Sequence, residues 1–261
     1  MSMFEFISSF FQFDPWIYVL GFFVASAAGF VDAIAGGGGL IALPFLVGTG
    51  MHPAAALGTN KMQACFGTST AMLNYRRKKL LDSSQVYIGV IFTLIGAVLG
   101  AQTASALSSE ILNLLIPILL LLIVLYFAFK RNFEPKKALL PRGVFYVLFG
   151  LLLGFYDGFF GPGAGSFWTT ALIGVSGLSL VQAVGDTKIF NFTSNFTAFA
   201  VFAFNGLVMY DLAIFMCVGQ ILGAYTGSSF AARKGLKVIK PLIITVSSII
   251  SIKLLYNFFT S

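Results

Sequence analysis

The chain has 261 residues, 58% of them hydrophobic and only 10% charged, with a mean hydropathy of +0.93. Soluble domains carry about 25% charged residues, so a water-facing surface is excluded and the chain reads as an integral membrane protein. The formal charge of +7 is what basic loops beside membrane helices produce, and no nucleic-acid partner is expected.

In chain order, the N-terminal stretch "MSMFEFISSFFQFDPW" holds no Lys or Arg. It lacks the basic start of a signal peptide and reads as part of the mature protein. Windows of about 20 apolar residues, enough for roughly 30 Å of hydrocarbon, then recur. They predict membrane segments at 16–34, 54–75, 85–107, 111–129, 143–160, 180–204, 209–232 and 238–259. Two shorter apolar pieces, 40–50 and 166–176, follow glycine clusters. Cys65 and Cys217 fall inside apolar segments and are expected to pack rather than pair. His52 is the single histidine, which argues against a His-based metal site or a Ser-His-Asp triad; neither metal nor cofactor is expected.

The chain repeats itself. "GFVDAIAGGGGLIAL" (Gly29 to Leu43) has the rhythm of "GFYDGFFGPGAGSFW" (Gly154 to Trp168), aligning Asp32 with Asp157, Gly36 with Gly161 and Gly38 with Gly163. "TNK" (Thr59 to Lys61) meets "DTK" (Asp186 to Lys188), and "GAVLGAQTAS" (Gly96 to Ser105) meets "GQILGAYTGS" (Gly219 to Ser228). The blocks keep their order at offsets of 125, 127 and 123. The expected division is a first transmembrane repeat over 1–129, a cytoplasmic linker over 130–142 and a second repeat over 143–261.

Of the 16 Lys and Arg, 13 fall in three clusters: Arg76 to Lys79, Lys130 to Arg142 and Arg233 to Lys240. The positive-inside rule places all three in the cytoplasm. That requires each glycine cluster to be the tip of a re-entrant hairpin, returning to the side it came from. The fold expected is therefore an all-α polytopic membrane protein with about eight helical segments in two inverted repeats and both termini outside.

Irregular backbone at membrane depth survives only when buried in protein or lining a watery cavity. Glycine permits the reversal and leaves N–H groups uncovered, and a helix starting just beyond points its positive dipole end at whatever lies there. Two such turns from inverted halves would form an anion site near the midplane. The alternative is close helix packing, which suits Gly96/Gly100 and Gly219/Gly223 but not consecutive glycines.

Asp32, Lys61, Asp157, Asp186 and Lys188 are charges within membrane segments, each costing about 2.5–3.5 kcal/mol at the bilayer centre unless paired or hydrated. One reading is two ion pairs inside the repeats, Asp32–Lys61 and Asp157–Lys188. The other has the lysines facing a shared cavity and compensating an anionic substrate. Asn60, Gln63 and Thr68 accompany Lys61, while Lys188, Asn191, Ser194 and Asn195 share a helix face by their spacing. Phe167, Trp168 and the other aromatics are expected to face lipid or pack.

These residues carry a family resemblance. "GFVDAIAGGGGLIALPFL", "GTNKMQA", "GFYDGFFGPGAGSF" and "DTKIFNFTSN" resemble the TauE/SafE family of bacterial membrane proteins, the sulfite exporter or toluenesulfonate uptake permeases, and within it the YfcA-like branch. The resemblance implies an inner-membrane permease of about eight helices, with a substrate among sulfite, sulfonates and other small organic acids. It points to the Gly36–Gly39 turn, Asn60, Lys61, Gln63, the Gly161–Gly165 turn, Lys188 and Asn191. Two departures stand out: Pro162 replaces a glycine and offers no N–H, and Asp186 stands where the first repeat has Thr59, which favours a proton-linked step.

The expected function is a secondary transporter, outward-directed, of a small anion by alternating access. An anion channel of the same build is the rival, and an intramembrane enzyme lacks HExxH and GxSxG motifs. The substrate-binding candidates are Gly36, Gly37, Gly38, Gly39, Asn60, Lys61, Gln63, Gly161, Gly163, Gly165, Ser166, Lys188, Asn191 and Asn195. Asp32, Asp157 and Asp186 are charge-compensating or proton-linked. Partners are the anion, the lipid bilayer, a proton or ion gradient and a second copy in a homodimer.

Overall fold

The structure is a computed structural model describing residues 12–81, 86–129 and 138–234. The described residues form nine helices and no strand: α1 (Pro15–Ala35), α2 (Gly39–Gly48), α3 (Pro53–Arg77), α4 (Val86–Ala106), α5 (Ser109–Phe129), α6 (Arg142–Phe159), α7 (Ala164–Gly174), α8 (Leu180–Phe204) and α9 (Tyr210–Lys234). Each predicted segment up to residue 232 has its helix within a few residues. The segment at 238–259, most of the linker and most of the third basic cluster lie outside the described residues.

Four helices, α1, α4, α6 and α9, are long and apolar enough to cross a membrane. Their outer faces carry exposed stripes spaced by three and four, such as Leu148, Leu152 and Phe155 on α6 and Ile214, Val218 and Leu222 on α9, as contact with lipid requires. The chain is a multi-pass membrane protein. Helices α3 and α8, 25 residues each and about 37 Å long, are too polar for that class. They sit inside, with Lys61 and Lys188 each 1% exposed. Their starts are set locally: Pro53 occupies the first turn of α3 behind His52, whose Nδ1 accepts the Ala54 N–H, and the Ser179 hydroxyl caps α8.

The outer helices pack in pairs drawn from opposite halves of the chain. On α9, Gly219, Gly223 and Gly227 lie against the carbonyls of Phe22, Ser26 and Phe30 of α1. On α4, Gly96 and Gly100 meet Leu151 and Phe155 of α6, while Gly154 and Gly158 press back on Thr93 and Ala97. Small residues let backbones approach where lipid offers no hydrophobic drive, so the packing role expected for Gly96/Gly100 and Gly219/Gly223 is borne out.

Helices α2 and α7 have only 10 and 11 residues, about 15–17 Å, or half the hydrocarbon thickness. The Leu139 N–H donates to the Val175 carbonyl at 2.8 Å, so the α6–α7 hairpin begins and ends at the same place. Likewise Trp16 and Ile17 at the start of α1 share one cleft with Gly48 and Thr49 at the end of α2. The first hairpin opens beside the α8–α9 connection, where the Gln12 N–H reaches Asp211 (3.2 Å) and the Met209 N–H reaches Thr59 (3.0 Å). The α6–α7 pair opens at the other end of α3, where the start of α8 meets Leu80.

Candidate functional site

The two glycine turns meet. Gly36 closes α1 in the left-handed region at φ 74°, its N–H on the Asp32 carbonyl at 2.8 Å. Gly161 and Gly163 take φ 98° and 81° before α7. A Cβ on Gly36 would lie 2.5 Å from the Gly165 backbone, and one on Gly39 would lie 3.1 Å from the Pro162 Cα. The Ser166 hydroxyl donates to the Ala35 carbonyl across the same junction.

Around this junction the charges pair across the halves of the chain. Lys61 of α3 donates to Asp157 of α6 at 2.6 Å and to the Asn195 Oδ1 of α8 at 3.1 Å. The other Asp157 oxygen accepts the Ser194 hydroxyl. Lys188 of α8 donates to the Asp32 backbone carbonyl of α1 and stands 3.4 Å from its Oδ2. The expected pairs inside each repeat, Asp32–Lys61 and Asp157–Lys188, are thus corrected to Asp157–Lys61 and Asp32–Lys188. The physical reason is the interleaving: each hairpin tip lies against the inner helix of the other half.

A small polar cavity of about 20 Å³, room for a water or two, lies between the turns. Ten of the candidates line it: Asp32, Gly36, Gly39, Asn60, Lys61, Asp157, Gly161, Gly165, Asn191 and Asn195. Gly37, Gly38, Gln63, Gly163, Ser166, Lys188 and Asp186 are not among its lining residues. Gln63 acts one step back, its amide donating to the Asn60 Oδ1 at 2.8 Å. The Gly38 N–H points at the Asp32 Oδ1, 3.4 Å away. Thr68 spends its hydroxyl on the Ala64 carbonyl at 2.8 Å, so it offers no donor to the cavity. Asp186 is buried on α8. Trp168 is fully buried and stacks on Phe190 with centroids 4.2 Å apart, which makes it a packing residue.

Two lining residues, Ala64 and Ala164, escaped the sequence reading. The repeat alignment contained the signal, since Ala64 matches Asn191 and Ala164 matches Gly39. The donor thought lost at Pro162 is not missed, because its counterpart Gly37 does not line the cavity. The Pro162 carbonyl instead accepts the Tyr156 hydroxyl at 2.5 Å.

The sulfite exporter TauE/SafE family matches residues 21–254. The chain is 40% identical over 255 residues to the probable membrane transporter protein YfcA of Escherichia coli strain K12, covering 97% of this chain and 95% of that one. It is 41% identical over 246 residues to the probable membrane transporter protein ORF9 of a Sinorhizobium species, covering 93% and 94%. It is 28% identical over 247 residues to the probable membrane transporter protein YdhB of Bacillus subtilis, covering 91% and 95%. No solved structure matches the chain. With a match running through both glycine turns and both inner helices, the chain belongs to the sulfite exporter TauE/SafE family.

Proposed function

We propose that this protein is a secondary transporter that carries a small anion such as sulfite, a sulfonate or a related organic acid outward across the bacterial inner membrane. The reading is carried by one observation: two glycine turns from opposite halves touch at a cavity where Lys61 and Asp157 are buried within 2.6 Å of each other. Backbone N–H groups, an ammonium and the amides of Asn60, Asn191 and Asn195 are donors suited to an oxyanion. Each lysine already holds a carboxylate from the opposite half, so an arriving anion competes with an interdomain tie. Loosening that tie lets the interleaved helices rearrange about the site, as inverted repeats do in alternating access. The tightness of the cavity suits a carrier in an occluded state better than an open pore. The outward direction rests on the family's description.

A thermal-shift screen of the purified protein against sulfite, thiosulfate, sulfoacetate, taurine and simple carboxylates tests this. An anion present at 100 times its Kd should stabilise by about 2.7 kcal/mol, and the same anion should show saturable counterflow in proteoliposomes. No stabilisation by any of them would remove the anion site.

The orientation proposed has about eight membrane helical segments in two inverted repeats, each with a re-entrant glycine hairpin, both termini periplasmic and the loops at 76–82, 130–142 and 233–240 cytoplasmic. In its favour, Arg76 to Lys79 and Arg142 gather at the end of the bundle where the α6–α7 hairpin opens. Cysteines placed at Ser2 and Ser261 should react with an impermeant reagent added to intact spheroplasts. Labelling of the C-terminal one only after lysis would refute the inverted arrangement.

A further inference from the structure

Two ion pairs bound the site, Lys61 with Asp157 and Lys188 with Asp32, and each is neutral in sum. A monovalent anion arriving among them leaves one negative charge in excess, and an uncompensated charge at membrane depth is costly. We propose that the excess is removed by a proton taken up on Asp32, so that anion binding and protonation of this carboxylate are one coupled event. The inference rests on the anion-transport reading above.

The two carboxylates are not equivalent. Asp157 is 3% exposed at its side chain, holds Lys61 at 2.6 Å and accepts the Ser194 hydroxyl. Asp32 is 16% exposed at its side chain and lines the cavity. Its contacts are long, 3.4 Å to the Lys188 ammonium and 3.4 Å from the Gly38 N–H. Lys188 is held more closely by the backbone carbonyl of Asp32 than by its carboxylate. That carbonyl sits in the last turn of α1, at the negative end of the helix dipole. Lys188 therefore keeps a partner when the carboxylate of Asp32 is neutralised, whereas neutralising Asp157 would strip Lys61 of its closest one.

The remaining neighbours fit. From α3 the Tyr75 hydroxyl is committed to the Ala33 carbonyl at 3.0 Å. Lys61 and Asp157 face Asp32 across the cavity from α3 and α6. Helix α9 brings Gln220 and small residues to this stretch of α1, and Asp186, two residues before Lys188 on α8, does not line the cavity.

The proton comes from the aqueous side to which the site is open and leaves with the anion on the other, so no net charge moves. At equilibrium the anion ratio, inside over outside, then equals the proton ratio, outside over inside, about tenfold per pH unit. Export runs from an internal excess of anion, and acid outside opposes it.

Infrared difference spectroscopy on the whole protein tests the assignment. Methanesulfonate, whose charge is fixed near neutral pH, should raise a protonated-carboxyl band in the wild type and consume about one proton per protein from weakly buffered solution. Asp32→Glu should shift that band and Asp157→Glu should leave it in place. A ligand-free arm keeps the result independent of the transport reading. Lys188→Met, or Lys188→Gln if that variant fails to fold, removes one positive charge, and the same band should appear at neutral pH and shift with Asp32→Glu. A band that moves with Asp157→Glu, or no band in either lysine variant, overturns the proton site whether or not any anion binds. Binding of methanesulfonate without proton uptake overturns the coupling. The lysine-variant band without methanesulfonate binding supports the proton site and counts against the anion reading alone.

Discussion

Lys61→Met should lower the unfolding free energy by about 3–5 kcal/mol, the usual cost of leaving one partner of a buried ion pair behind. Lys61→Met combined with Asp157→Asn should recover most of that loss, because neither charge is then left buried. Lys61→Met combined with Asp32→Asn should recover little. Asp157 would still face an apolar side chain, and Lys188 would have lost its carboxylate as well. Denaturant unfolding in detergent reads all three. Equal recovery by the two double variants would mean that only the summed charge matters and that the 2.6 Å contact has no special weight.

The same variants separate stability from function. Asn195 also accepts from Lys61, at 3.1 Å, so the ammonium is fixed from two sides and aimed at the cavity. The restored Lys61→Met, Asp157→Asn protein should fold yet gain no stability from the anion that stabilises the wild type. Anion stabilisation undiminished in that protein would confine Lys61 to a structural part.

The partner exchange also marks where the sequence stops being legible. Helix bounds were readable, because apolar windows are interrupted by polar and glycine punctuation at each end, and the glycines of the α4–α6 and α1–α9 contacts announced themselves by spacing. The pairing of the charges was not. A duplicated chain offers two equivalent sets of partners, one inside each repeat and one across them, and no local pattern separates them. Only the interleaved packing, in which α1 rests on α9 and α6 on α4, brings Asp157 to Lys61 across 96 residues of chain. The cavity liners were half legible. Charged and amide side chains betray themselves in an apolar segment, whereas Ala64 and Ala164 contribute by being small, a property an alanine shows equally in any packed helix.

Gly36→Val should be far more damaging than any change at Gly37, although the four glycines from 36 to 39 are indistinguishable in the sequence. Gly36 combines two constraints. Its φ of 74° costs a residue with a Cβ about 1–2 kcal/mol, and its Cβ would stand 2.5 Å from the backbone of Gly165, an overlap that adds about 1–3 kcal/mol if the turns shift to relieve it. The shift itself would part the two turns and open the cavity, so transport should fail even in the fraction that folds. Gly37 has neither constraint: its φ is not positive, and a Cβ there would meet nothing nearer than Val31 Cγ1 at 3.7 Å. Gly37→Ala should therefore keep transport and leave stability unchanged or raised by about 0.4–1 kcal/mol through the lower entropy of the unfolded chain. Sequence reasoning, which weights the cluster evenly, places Gly37 among the anion-binding residues and expects valine there to abolish transport by filling the turn. Unfolding and proteoliposome flux for the two variants decide between these views. Loss of transport in Gly37→Ala, or wild-type flux in Gly36→Val, would mean that the contact between the turns is not what holds the site together.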